Sequence, residues 1–383
     1  MKVVHAAKFY PPVAGGMETV IADLARGTAA QWDVRVVAAN TTATTANETV
    51  DGVRVVRAAT YATANSVPIA PSYPFHLWRE HADCLVLHEP NPIAGTACFL
   101  RTPAPRLVIW HHSDLVRPFW APHTYGHLQR ALYRRADCVV VSSPNLAADS
   151  PLVACARRVA VIPFGVALDE FRGDDAEGRR RSEQIRARTP GPRVLFVGRF
   201  VYYKGVDVLI DAMSRCPGTL TLVGEGPLEG ALRAQADRLG LGGRVVFAGR
   251  VSNQDLRAHY RAADLFVLPS VARTEAFGVV QVEAMAAGLP VVSTDLPTGV
   301  SWVNRDGETG LVVRPGDSRA LGDAIARLLG DEAARREMGR RAFDRATAVF
   351  SRDRMIRSFR ELVETVVEQP EQLDARLAAA EVL

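Results

Sequence analysis

Short, nearly unbroken apolar runs alternate along this chain with longer stretches in which apolar and polar residues share a helical period. In the first half the runs are KVVHAA (2–7), DVRVVAAN (33–40), GVRVVRA (52–58), DCLVLHEP (83–90), RLVIWHH (106–112) and DCVVVSS (137–143), with ETVIADLARGTA (18–29) as a helical stretch. Runs rich in Val, Leu and Ile between polar turns suit strands covered on both faces, and so a parallel sheet flanked by helices. RVAVIPFGV (158–166) closes this series. The segment RGDDAEGRRRSEQIRARTPGPR (172–193) is charged, holds Pro and Gly, and reads as a linker over 171–189 with one exposed helix. A second series starts at RVLFVGR (193–199) and runs through TLTLVGEG, RVVFAGR, DLRAHYRAADLFVLPS, FGVVQVEAMAAG and LPVVSTD to TGLVVRPGD (309–317). This alternation predicts two tandem doubly wound α/β domains, each with a Rossmann-like sheet, over 1–170 and 190–354. Ligands of such sheets bind at the carboxyl ends of the strands, and the cleft between the two domains is the expected site. The segment RDRMIRSFRELVETVVEQ (352–369) has the period of an amphipathic helix.

Composition changes this picture little. At 383 residues the chain is too long for one ordinary core, and 48% hydrophobic with 23% charged residues is a globular, enzyme-like composition. No apolar run approaches the roughly 20 residues of a membrane helix, and the N-terminus reads as a first strand. Five cysteines without metal spacing suggest reduced thiols and a cytoplasmic protein. Residues 1–165 carry 15 Lys and Arg against 11 Asp and Glu, while the remainder has 31 of each. That excess suits an anionic lipid surface or a phosphorylated acceptor. With no basic patch interleaved with aromatics, nucleic acid is not an expected partner.

Candidate chemistry gathers after the strands. In VGRFVYYKG, Gly198 permits a close turn, and Arg199 and Lys204 follow a strand's carboxyl end, where cations suit phosphate oxygens; the alternative is two solvated cations on a loop. Gly15 and Gly16 stand before the first helix, either as a plain turn or as a place where a diphosphate meets backbone N–H groups. Gly224, Gly226 and Gly230 miss the spacing of a dinucleotide loop by one residue. His111 and His112 end a strand, where at most one can face the ligand edge. No set of residues has metal-ligand spacing.

TEAFGVVQVEAMAAGLPVV (274–292) places Glu275 in a loop and Glu283 about two turns into a helix that is apolar almost all round. The helix is expected to begin near Phe277-Gly278 and to be capped by Gly288. A carboxylate so buried needs a fixed partner: the vicinal hydroxyls of a ribose, or an internal arginine.

The pair Glu275-x7-Glu283, with GRFVYYKG, the early Gly-Gly and VIPFGV, resembles the retaining glycosyltransferases of family 4, whose fold is GT-B. The resemblance spans nearly the whole chain. It implies that Gly15 and Gly16 pack against the diphosphate and donor sugar, that Arg199 and Lys204 neutralise the diphosphate, and that Glu275 holds sugar hydroxyls. It implies further that Gly198 serves the same loop, that Phe277, Gly278 and Val279 present backbone amides, and that Glu283 binds the ribose. Val251, after the strand RVVFAG, falls in the loop whose main chain meets the nucleobase. His112 matches the family's N-domain histidine, with His111 a competitor. The resemblance implies front-face attack without a protein nucleophile, metal or other cofactor. It suggests a mannosyltransferase using GDP-mannose, with UDP-sugars as the alternative donors. The acceptor would be a glycan or a polyprenyl-diphosphate-linked glycan, as in bacterial polysaccharide synthesis. The C-terminal helix, about 355–383, would pack back onto the first domain. LVRPFWAPHTYGHLQRALYRR (115–135) reads either as a peripheral membrane face or as a core helix with a basic side. Other chemistries on this fold, a phosphorylase or a non-hydrolysing epimerase acting on UDP-GlcNAc, stand as alternatives.

Overall fold

A computed structural model describes residues 1–13, 15–64, 67–114, 121–172, 176–379 and 382, without the side chains of 121–124. The chain divides into two compact units, Met1–Phe164 with Arg352–Leu383, and Gly165–Ser351.

In unit one the strands are β1 (Lys2–Ala6), β2 (Asp33–Ala39), β3 (Ala46–Val50), β4 (Val53–Ala58), β5 (Ala62–Ala64), β6 (Val67–Ile69), β7 (Cys84–Glu89), β8 (Arg106–His111), β9 (Cys138–Val141) and β10 (Val159–Val161). Eight of them form one sheet in the order β10-β9-β8-β7-β1-β2-β4-β3, parallel except for the antiparallel β3. β5 and β6 make a separate two-stranded ribbon. The strands expected from the apolar runs are present. β3 and β5 escaped that reading because ANETV and ATA have no buried face to impose a period, and β6, VPI, because three residues are too few to show one. The chain order reverses between β1 and β7, which makes their carboxyl ends the crevice of this sheet.

The helix Arg352–Glu368 belongs to unit one although it ends the chain. Its buried residues Met355, Phe359, Leu362, Val363 and Val366 recur at helical spacing, and Phe359 packs near Trp32, Trp110 and His5.

Unit two has β11 (Arg193–Val197), β12 (Thr219–Val223), β13 (Val245–Gly249), β14 (Leu265–Leu268), β15 (Val291–Thr294) and β16 (Gly310–Val313). All pair in parallel in the order β13-β12-β11-β14-β15-β16, the doubly wound order with its switch point between β11 and β14. Phe196, Phe200, Leu209, Leu220, Leu222 and Ile325 centre its core.

The segment expected as a linker is part of unit two. The helix Ala176–Arg188 lies along Asn253–Ala262: Arg181 pairs with Asp255 at 2.5 Å, and Arg186 donates to the Arg261 carbonyl at 2.9 Å. Its charge, which suggested solvent, is used for pairing. The unit boundaries accordingly fall at 164/165 and 351/352.

Candidate functional site

At the switch point of unit two the chain leaves β11 through Gly198 and Arg199 and turns at Tyr202–Lys204. Gly205 follows with φ 62°, and a Cβ there would stand 2.2 Å from the Pro269 carbonyl oxygen. Only glycine permits this approach, which lays the turn on the chain leaving β14. The Val271 N–H donates to the Tyr203 carbonyl at 2.8 Å and fixes the register. Lys204 Nζ thereby reaches Glu275 Oε2 at 2.5 Å, and Ser270 donates to the same oxygen at 3.0 Å. Lys204 and Glu275 are only 9% and 8% exposed. The loop carrying Glu275 is tied down by Thr298, whose hydroxyl donates to the Glu275 carbonyl at 2.8 Å, and by the Gly299 N–H to the Ala276 carbonyl. Arg199 is exposed and has no ion pair among the described residues.

Two carboxylates with distinct settings result. Phe277 is buried, Gly278 has φ 71°, and the helix Val279–Ala286 begins there and ends before Gly288 at φ 76°. Glu283 is half-buried, and its partner within the chain is not the arginine considered for it but a tyrosine. The Tyr260 hydroxyl donates to Glu283 Oε2 at 2.7 Å. Burial raises the Glu283 pKa, while the Tyr260 hydrogen bond and the charge of Lys204 pull the other way.

A pH-dependent effect follows for Tyr260→Phe. Removing the bond that favours the carboxylate raises the Glu283 pKa further. Below the ordinary carboxyl range Glu283 is protonated in both proteins, so the stability difference is smallest there, and it grows as pH rises through the folded pKa. Denaturant titrations at about pH 4 and about pH 8 should show a loss larger by about 1 kcal/mol at the higher pH. An equal loss at both would mean that Tyr260 does not act through Glu283.

In unit one, Gly15 precedes the helix Gly16–Thr28 with extended backbone. A Cβ on Gly15 would lie 2.1 Å from Glu18 Oε2, whereas one on Gly16 would meet open space. The room that Gly15 leaves is thus taken by the chain's own carboxylate. Burial raises the pKa of Glu18, against its own backbone N–H and Lys8.

The two adjacent histidines face opposite ways. His111 is bonded to the Tyr133 hydroxyl at 2.6 Å, lies 3.4 Å from Ser150 Oγ and 3.6 Å from Asp114. His112 Nε2 lies 3.0 Å from His88 Nδ1, and the ring stacks on Phe164. Burial lowers the pKa of His111 to about 4 and that of His112 to about 3, so both are neutral near pH 7.

The structure brings Gly198, Lys204, Ser270 and Glu275 together. Val251 instead borders a cavity of about 570 Å³ between Ala176–Arg188 and β12–β13, walled by Arg180, Arg181, Arg188 and Arg250, with none of Arg199, Lys204, Glu275 or Glu283 in its lining. Gly224 and Gly226 serve close backbone approach: a Cβ on Gly224 would lie 2.1 Å from the Gly198 carbonyl oxygen, and one on Gly226 would lie 2.5 Å from that of Phe200. The first six residues of the aromatic and basic segment, 115–120, lie outside the described residues; within the rest, Leu132 and Tyr133 are buried in the core. Among the described residues no helix is long and apolar enough to cross a membrane, and no three His, Cys, Asp or Glu side chains group as metal ligands. The sequence reading missed Ser270, Tyr260, His5 and His88. Ser270 had a signal, since it is the first polar residue after β14; His5 and His88 read as ordinary positions within apolar strands, and Tyr260 as part of the buried face of a polar helix.

Residues 15–165 match the glycosyl transferase 4-like domain and residues 179–345 the glycosyl transferases group 1. The chain is 32% identical over 378 residues to the O-antigen chain mannosyltransferase C of Escherichia coli, covering 96% of this chain and 99% of that protein. It is 35% identical over 282 residues to the D-rhamnosyltransferase WbpZ of Pseudomonas aeruginosa, covering 72% and 73% of the two chains. Among solved structures, a sucrose-phosphate synthase from Thermosynechococcus elongatus superposes with a TM-score of 0.79 at 24% identity, over 96% of this chain and 99% of that one. That likeness shows a shared GT-B fold.

Proposed function

The chain belongs to the group 1 glycosyl transferases, with a family 4-like first domain, and on that premise we propose that it transfers mannose from GDP-mannose, with retention, to a glycan or a polyprenyl-diphosphate-linked glycan of a bacterial polysaccharide. The observation that carries this reading is the buried Lys204–Glu275–Ser270 cluster at the switch point, preceded by the exposed Arg199. As the bond from the anomeric carbon to the phosphate oxygen breaks, negative charge grows on the departing diphosphate. Fixed cations attract it more strongly at that moment than in the bound donor, which is the condition for lowering a barrier. Glu275, held by Ser270 and Lys204, keeps Oε1 for a sugar hydroxyl. Glu283, held at Oε2 by Tyr260, keeps Oε1 for a ribose hydroxyl. The acceptor hydroxyl attacks from the side of the leaving group, and its proton passes to the departing phosphate oxygen, so no protein nucleophile is needed. The mannose assignment is supported by the near full-length likeness to a mannosyltransferase. A UDP-sugar donor is the alternative within this class.

A thermal-shift series over GDP-mannose, UDP-glucose, UDP-GlcNAc, ADP-glucose and dTDP-rhamnose tests the donor. A donor at 100 times its Kd stabilises the fold by about 2.7 kcal/mol. GDP-mannose is expected to give the largest shift, and a larger shift with a UDP-sugar would overturn that choice. Conversion of UDP-GlcNAc to its epimer without an acceptor would point to the other class.

A further inference from the structure

Three imidazoles run in file through unit one. His5 on β1 places Nδ1 2.9 Å from His88 Nε2 on β7, and His88 Nδ1 lies 3.0 Å from His112 Nε2 beyond β8. All three side chains are buried, with His5 and His88 at 0% exposure. The far nitrogen, His5 Nε2, is fully buried without a hydrogen-bond partner among the described residues. Phe359, whose ring centroid lies 5.7 Å from that of His5, offers no lone pair. At the other end His112 Nδ1 has no partner among the described residues.

Burial keeps all three rings neutral, so each carries one N–H and one lone pair. Both links run from Nδ1 of one ring to Nε2 of the next. Each link needs one donor and one acceptor, so the three rings must share one tautomer, all Nδ1–H or all Nε2–H. Conversion between these states would require a proton to arrive at His5 Nε2 as another leaves His112 Nδ1. His5 Nε2 is sealed, so the file cannot conduct protons and cannot switch while folded. The states differ at the sealed end, where one leaves a buried N–H without an acceptor and the other only a lone pair. Among backbone groups, orphaned buried N–H groups are rarer than under-satisfied carbonyls, and the same order is taken for the ring nitrogens.

We propose that His5 and His88 are positioning residues that lock His112 as its Nδ1–H tautomer, so that unit one presents a fixed hydrogen-bond donor to a substrate oxygen. A lone imidazole would divide between tautomers and offer a lone pair part of the time, which repels phosphate and sugar oxygens. The lock stands independently of the reaction; its use toward a substrate rests on the glycosyltransferase reading.

The test is a long-range ¹H–¹⁵N correlation spectrum of the full chain labelled with ¹⁵N-histidine, with signals assigned by single His→Asn variants. In the ligand-free protein His5, His88 and His112 are expected to show protonated Nδ1 and bare Nε2 alike. Mixed tautomers within the file would overturn the relay, and uniform Nε2–H would overturn its direction. His5→Phe removes the donor to His88 and should turn His112 into a mixture of tautomers. His5→Asn, whose side-chain N–H can stand in for Nδ1–H, should restore the single form. An unchanged His112 in His5→Phe would show that the file does not set its tautomer. Saturation with GDP-mannose should shift the His112 signals and slow exchange of its proton with water. If GDP-mannose binds and His112 does not respond, the substrate contact is wrong; if it does not bind while the tautomers are uniform, the donor assignment fails and the lock is upheld.

Discussion

Lys204→Ala is expected to lower kcat/KM for sugar transfer by about 10²–10³-fold, mostly in kcat, the range seen when one preorganised donor to a developing anion is removed. Two geometric facts support so large an effect. Lys204 is nine-tenths buried, so its field on a diphosphate is weakly screened, and it is held by a turn docked on the chain leaving β14, so it needs no reorganisation during the reaction. The same substitution leaves Glu275 buried with Ser270 as its one side-chain partner. Removing one member of a buried pair costs about 3 kcal/mol, so stability must be followed alongside rate. Lys204→Ala combined with Glu275→Gln removes the unpaired charge. The double variant should regain most of the lost stability and remain slow. If it turned over at the wild-type rate once folded, Lys204 would be a structural cation only. Glu283→Gln, by contrast, should raise KM for the donor by about tenfold with kcat nearly unchanged, because it weakens a contact made equally in ground and transition states.

Gly205→Ala should be the most disruptive small substitution at this site. The new Cβ would fall 2.2 Å from a backbone oxygen at a φ of 62°, and no side-chain motion relieves either strain. A cost of about 3 kcal/mol is expected, which moves a urea midpoint by about 1 M at a slope of about 3 kcal/mol/M. The turn carrying Lys204 must lift from Pro269, so activity should fall together with stability. A variant of wild-type stability would show that the turn is free to shift. Gly230→Ala, inside the helix Glu229–Arg238 with open space around the added Cβ, is the control.

Both sheets were legible in the sequence because their strands are buried on two faces and therefore nearly uniform in hydrophobicity. What lacked that uniformity was lost: the exposed β3, and the helix Ala176–Arg188, whose arginines pair with a neighbouring helix that no local pattern reveals. Within the candidate site, Lys204 and Glu275 stood out because they break apolar surroundings beside strand ends. Their pairing did not, since it depends on Gly205 allowing two segments about 70 residues apart to touch. Glu283 illustrates the same limit. Its helix reads as apolar all round, but a helix beside a crevice leaves one side partly open, and the partner that completes it, Tyr260, comes from another helix. The histidine file was invisible for a related reason, as its members stand on three separate strands or strand ends far apart in sequence, and only the parallel stacking of β1, β7 and β8 sets them in line.

The ion pair at the switch point also bears on how the protein empties itself. A bare buried lysine would hold a nucleoside diphosphate tightly after the sugar had gone, and product departure limits many well-developed enzymes. Here the cation has a resident counter-charge 2.5 Å away. On the proposed reading, a departing diphosphate would leave behind an ammonium that is already compensated, so dissociation would not strand a naked charge in a poorly hydrated place. On the proposed placement of the diphosphate at Lys204, the glutamate beside it would be an internal competitor for the product.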